Sequence, residues 1–141
     1  MDVSEWIEAG LFREAEFIVE EAQTAAIVGS GPTFSDDGRL EVLSTPSLIM
    51  FMERISFRML SERLPENLTS VGVSLQVNHI APSLFGAKVR IRTEVSTIEG
   101  RRVSLRLQAW DGKELVGEGV HQRVVVDREA FLQRLQAKRD S

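Results

Sequence analysis

Glu53 and His79 are the residues of this 141-residue chain whose types and settings point most directly to chemistry. Glu53 falls within Ser44-Thr45-Pro46-Ser47-Leu48-Ile49-Met50-Phe51-Met52-Glu53-Arg54-Ile55. A helix there sets the acid four residues after Ile49 and seven before Leu60, on the apolar side. Burying a carboxylate among Leu, Ile and Met is costly unless a partner holds the charge or the group is used. His79, in Val77-Asn78-His79-Ile80-Ala81-Pro82, lies on the strand that follows. A carboxylate beside an imidazole fixes its tautomer and stabilises its protonated form, the setting of a general base. The pair is therefore read as the centre of a hydrolytic site. The plainer alternatives are a structural ion pair of Glu53 with Arg123, or with an arginine of another subunit, and a satisfied core histidine.

The elements that must position these groups follow from periodicity. Ser44 or Thr45 suits an N-cap, and Pro46 suits the first helical position, whose N–H needs no partner. Leu48, Met52, Ile55 and Met59 recur at helical spacing, widened by Ile49 and Leu60, and Pro65 stops the helix. Val71, Val73, Leu75, Val77 and His79 alternate onto one strand face, with Gly72, Ser74, Gln76 and Asn78 on the other. Strands follow over residues 88–97, 103–109 and 114–126, joined at Glu99-Gly100 and Asp111-Gly112, where tight hairpins force antiparallel pairing. Before the helix, residues 13–28 read as one or two strands and 29–40 as a long loop suited to a lid. Ser4 is a candidate cap for a turn through Trp6 and Ile7, and Asp127 for a C-terminal helix bearing Phe131, Leu132 and Leu135. One long apolar helix against one antiparallel sheet is a two-layer α+β arrangement, in a single domain spanning 1–141.

Composition narrows the function. Apolar residues make up 43% and charged residues 27%, which suits a water-soluble globular domain. The formal charge of −4 supplies no attraction to nucleic acid. With no cysteine, thiol nucleophiles, disulfides and cysteine metal sites are excluded, and two histidines make a His-rich metal site improbable on numbers alone. The acidic start lacks the features of a signal peptide, and no apolar run has the roughly 20 residues of a membrane span. The expectation is a cytoplasmic protein.

Over about residues 13 to 135 the chain resembles the hotdog fold, an antiparallel sheet wrapped around one long central helix, and within it the fluoroacetyl-CoA thioesterase-like family. The matching stretches are Thr45-Pro46, Glu53 eight residues on, Thr69-Ser70-Val71-Gly72, His79 with Ala81-Pro82, Gly100-Arg101-Arg102, and Gly117-Glu118-Gly119-Val120-His121-Gln122-Arg123. The resemblance implies a catalytic set of Thr45, Glu53 and His79. It also implies substrate contacts from Gly72 and Arg123, an acyl-CoA substrate, no cofactor beyond the coenzyme A of that substrate, and a homodimer with sites at the subunit interface; a tetramer is the alternative assembly. Phe34-Ser35-Asp36-Asp37-Gly38-Arg39-Leu40 is polar where the fluoroacetyl-specific member carries an aromatic lid. The expectation is therefore hydrolysis of a small or short-chain acyl-CoA, without fluoroacetyl selectivity.

In that frame His79 serves as base and Glu53 orients it, while Thr45 positions water or is itself acylated. Gly72 lets the backbone approach the thioester, and Arg123 grips a phosphate or pantetheine oxygen. Eight helical positions separate Thr45 and Glu53, a rise of about 12 Å. To act on one substrate, the two are either bridged by His79 or come from different subunits, and the second arrangement is expected. An enoyl-CoA hydratase or acyl dehydratase of the same fold, and a non-catalytic acyl-CoA-binding regulatory module, are the competing functions.

Overall fold

A computed structural model describes residues 1–141. The strands are β1 (Phe12–Ile18), β2 (Leu68–His79), β3 (Lys88–Glu99), β4 (Arg102–Asp111) and β5 (Glu114–Asp127). The helices are α1 (Ala25–Val28), α2 (Thr45–Ser61) and α3 (Arg128–Asp140). No helix is long and apolar enough to cross a membrane.

All neighbouring strands pair antiparallel, in the order β1-β3-β4-β5-β2. Both predicted hairpin turns are present, with Gly100 at φ 62° and Gly112 at φ 60°. In a flat sheet the edge strands β1 and β2 would lie about 19 Å apart. A helix with its side chains is about 10–12 Å thick, yet α2 packs against both edges. The sheet therefore curls around α2. The predicted apolar stripe faces into that curl. Leu48, Met52 and Ile55 pack with Val89, Ile91, Leu107 and Ala109. Met59 and Leu60 pack with Val95, Val103, Leu105 and Val125, and Val3 and Ile7 close that end.

Three local readings are corrected, and the C-terminal helix capped by Asp127 forms as expected. Thr24-Ala25-Ala26-Ile27-Val28 forms the short α1, ended by Gly29 at φ 85°, in place of a second strand. The first turn is capped by Asp2, whose side chain accepts from the Ser4 N–H, so Ser4 is not the cap. α3 buries none of its residues, and Leu132 and Leu135 stay exposed. Most consequential is a bulge in β2. Gly72 pairs with Arg123 and Ser74 with Gln122, which leaves Val73 as the extra residue. An unpaired residue reverses which side chains face the core. Leu68 and Ser70 are buried before the bulge, Leu75, Val77 and His79 are partly buried after it, and Val73 points to solvent. Uniform alternation had put Val71 and Val73 inside and Gly72 outside.

Gly117 and Gly119, two residues apart on β5, play different parts. A Cβ at Gly117 would lie 3.0 Å from Leu48 Cδ2 and 3.4 Å from Met52 Cε, flexible ends that can shift. A Cβ at Gly119 would lie 2.2 Å from the backbone oxygen of Gln76 on β2, which cannot yield without opening the β2–β5 ladder. Gly117→Ala is expected to cost about 1 kcal/mol, and Gly119→Ala about 3 kcal/mol or more. Urea denaturation of the two variants checks this; equal losses would contradict it.

Candidate active site

Ser44, not Thr45, caps α2. The Ser44 hydroxyl oxygen accepts from the Ser47 N–H at 3.2 Å and donates its own proton to Ser47 Oγ at 2.7 Å. With the cap occupied, Thr45 in the first turn has its hydroxyl free. β2 runs back along α2, so its last residue returns to the start of the helix, and Thr45 Oγ1 lies 2.8 Å from His79 Nδ1. Of the two cap candidates, Ser44 takes the cap and the Thr45 hydroxyl goes to His79.

His79 is half-buried, and its Nε2 is buried with no hydrogen-bond partner in the chain. Burial disfavours the charged ring and holds the His79 pKa below the ordinary imidazole value. The pair sits in the wall of a cavity of about 400 Å³, with Ser44, Phe34, Ile80 and Pro82 among its other lining residues. Phe34 had been read as part of a polar segment; it is the one phenylalanine lining this cavity, with 56% of its surface exposed.

Glu53 lies elsewhere. Its side chain is 56% exposed in the single chain, which corrects the expectation of a carboxylate buried among apolar residues. No hydrogen bond or ion pair joins it to His79. Its charged neighbour is Arg123 on β5, whose Nη1 lies 3.9 Å from Glu53 Oε2, an ion-pair distance too long for a hydrogen bond. The structural ion pair offered as the alternative is therefore present.

Arg123 is almost fully buried. Its Nε donates to Ser70 Oγ and its Nη2 to the Ser70 carbonyl, each at 2.9 Å, and its Nη1 lies 3.2 Å from His121 Nε2. On the other side of the ring, His121 Nδ1 lies 2.9 Å from the Ser74 carbonyl. Only an N–H can donate to that carbonyl, so Nδ1 carries the proton and Nε2 accepts from the guanidinium. Burial, and then the Arg123 charge, push the His121 pKa down and keep the ring neutral. Burial likewise lowers the Arg123 pKa, against the opposing pull of Glu53.

Gly72 opens onto the same cluster. A Cβ there would stand 3.0 Å from Glu53 Oε2, 3.2 Å from His121 Cε1 and 3.4 Å from Arg123 Nη1. The five expected residues thus fall into two groups within one chain: Thr45 with His79, and Glu53 with Gly72 and Arg123. Sequence reasoning placed neither Ser70 nor His121 among the site residues. The usable signal for His121 was its place two residues from Arg123 on one strand face.

The α+β curl of sheet around one long helix is the hotdog fold, shared with solved thioesterase structures. Residues 19–129 match the model of the family described as fluoroacetyl-CoA-specific thioesterase. The fluoroacetyl-CoA thioesterase of Streptantibioticus cattleyicolor is 33% identical over 98 residues, 70% of each chain. A crystal structure of a fluoroacetyl-CoA thioesterase superposes with a TM-score of 0.80 at 28% identity, covering 94% of this chain and 97% of the other. A hot-dog-like protein from Thermanaerovibrio acidaminovorans gives 0.84 at 28% identity, covering 98% and 97%. The chain belongs to the fluoroacetyl-CoA-specific thioesterase family. It is a thioester hydrolase, an acyl-CoA thioesterase of hotdog fold.

The two depressed histidines bear on stability. Between their folded-state pKa values and the unfolded value of about 6.5, the unfolded chain binds more protons, so stability rises with pH. Their contribution is complete above that value and is lost as pH falls through the window. Urea unfolding is expected to show a weaker fold at pH 5.5 than at 7.5, with a shallower pH slope in His79→Ala. An unchanged slope in the variant would place the titration elsewhere.

Proposed function

We propose that this chain hydrolyses small or short-chain acyl-CoA thioesters at a site made by two copies, with Thr45 and His79 from one and Glu53 from its partner. The observation that carries the reading is the 2.8 Å contact between Thr45 Oγ1 and His79 Nδ1 in the cavity wall. A neutral imidazole there can take a proton, and burial keeps it neutral. His79 removes the Thr45 hydroxyl proton as that oxygen bonds to the thioester carbonyl carbon. The carbonyl oxygen gains the negative charge beside the start of α2, where the helix dipole favours it. The C–S bond then breaks, and the departing sulfur takes the proton from the imidazolium. Water, activated by the same ring, releases the acyl group from Thr45 as the carboxylic acid. Rapid quench followed by mass spectrometry is expected to show acylated Thr45. Absence of the adduct at a slowed deacylation step would reassign Thr45 to orienting the water.

Glu53 supports a two-copy site by its position. The rise from Thr45 is about 12 Å, no bond joins Glu53 to His79, and the carboxylate is more than half exposed. Facing the pair in a second copy, it stabilises the imidazolium. Arg123, with its donors committed to Ser70 and His121, holds the charge and direction of Glu53 in place of gripping a CoA phosphate. Gly72 leaves room for the thioester beside that carboxylate. The reaction needs no cofactor beyond the coenzyme A of its substrate.

Thiol release from a panel of acyl-CoAs tests the reading. His79→Ala and Glu53→Gln are each expected to lose about 100-fold or more in kcat while staying folded. The acid limb of kcat/KM is expected below pH ~6.5. Hydration of crotonyl-CoA without thiol release would assign a hydratase instead. Mixing His79→Ala with Glu53→Ala tests the shared site, because a mixed dimer contains one intact set. About a quarter of wild-type activity is expected to return; no recovery would place the whole set in one chain.

A further inference from the structure

Glu41 is the one carboxylate of the chain that is almost fully sequestered, with 5% of its surface exposed. A buried carboxylate is costly unless donors hold its charge. The donors here are backbone groups. Phe34 N–H donates to Oε1 at 2.9 Å, Ser35 N–H reaches the same oxygen at a long 3.5 Å, and Oε2 is buried without a partner. Both donors belong to the loop over residues 29–40. The other bonds near its tip are local, Gly38 N–H to the Ser35 carbonyl and Leu40 N–H to Ser35 Oγ.

The carboxylate, by contrast, stands on backbone that is well tied down. Phe85 N–H donates to the Glu41 carbonyl at 2.7 Å, Leu43 N–H donates to the Ser83 carbonyl at 2.8 Å, and Val42 bridges Leu84. Four residues further on, the same segment reaches Thr45. Glu41 lines a separate cavity with Glu21, Asp36 and Phe85, while Phe34, beside the Glu41 carboxylate, lines the cavity of Thr45 and His79. Glu41 thus touches nothing in the reaction site. It fixes, through one charge-assisted bond, the backbone of the residue whose ring walls that site.

We propose that Glu41 is a positioning residue that sets the acyl-length selectivity of the cavity by holding Phe34 across it. This rests on the thioesterase reading. With the ring held, the cavity favours a short acyl group; with the loop released, a longer one enters. The hold depends on an acceptor oxygen at Oε1, so Gln preserves it and Ala does not.

The test compares kcat/KM for acetyl-, butyryl- and octanoyl-CoA by thiol release. Glu41→Ala is expected to raise the octanoyl-to-acetyl ratio about 10-fold. Glu41→Gln is expected to leave that ratio within about 2-fold of wild type, because the amide oxygen still accepts. Phe34→Ala is expected to shift the ratio as Glu41→Ala does, and the double variant to shift it no further. An unchanged ratio in Glu41→Ala, a Gln variant as altered as the Ala variant, or additive effects would each overturn the proposal. Amide exchange in the wild type covers the case in which Glu41→Ala does not fold. The Phe34 N–H is expected to exchange more slowly than those of Asp36 and Asp37, and equal rates would overturn the hold. Wild type that releases thiol from no ester would remove the thioesterase reading and this proposal with it. Active wild type with unaltered selectivity in the variants would leave that reading standing and remove only the proposal.

Discussion

Much of the site depends on which of two adjacent hydroxyls closes the start of α2. A helix needs one acceptor for its first-turn N–H groups, and Ser44 and Thr45 both have the chemistry for it. Ser44 takes the role and is itself buried against Ser47. Thr45 is thereby placed one residue inside, exposed, with its hydroxyl uncommitted. The return of β2 then delivers His79 to that hydroxyl. If Thr45 had capped the helix, its oxygen would have been occupied by a backbone N–H and turned from the imidazole. The contact between them is a consequence of capping, of strand direction and of a sheet that curls far enough for its edge to reach the helix start.

The second polar cluster obeys a different constraint. A guanidinium as buried as that of Arg123 is tolerable only with its N–H groups occupied and a negative charge nearby. Ser70 and His121 occupy the donors, and Glu53 supplies the charge. The β2 bulge makes this possible, since it turns Ser70 inward and points Gly72 at the carboxylate. A side chain at residue 72 would enter the space between Glu53 and His121. One extra residue in one strand thus supplies both the anchor for the arginine and the opening beside the acid.

The architecture was legible because its signals are repeated. The apolar stripe of α2, the alternation of β3 to β5 and the two glycine turns each rest on several residues that agree, and each is found where expected. Among the site residues, Thr45 and His79 do meet, and Glu53 does lie beside Gly72 and Arg123. What was not legible rests on single residues. The bulge at Val73 leaves no mark in an alternating pattern, so the phase of Val71 to Gly72 was read in reverse. Helical periodicity places Glu53 on a face but does not tell what covers that face, and in one chain little does. The choice between Ser44 and Thr45 lay in a difference of one position between two equally good caps.

Exposure of Glu53 is the point at which the single chain and the proposed reaction diverge. A carboxylate in water stabilises an imidazolium only weakly, because solvent screens it. The same carboxylate enclosed against a second copy acts in a medium where its charge counts for more. The proposed pairing supplies that enclosure on the side of the molecule where β2 forms the edge of the sheet. β2 is a twelve-residue strand with one neighbour; Val73 stands exposed along it and Ile80 just past its end. An open edge of that length invites another strand. The free edge and the exposed acid are two unmet demands of the single chain. The second copy proposed above, related by a two-fold axis, would answer both if its helix start faces Glu53.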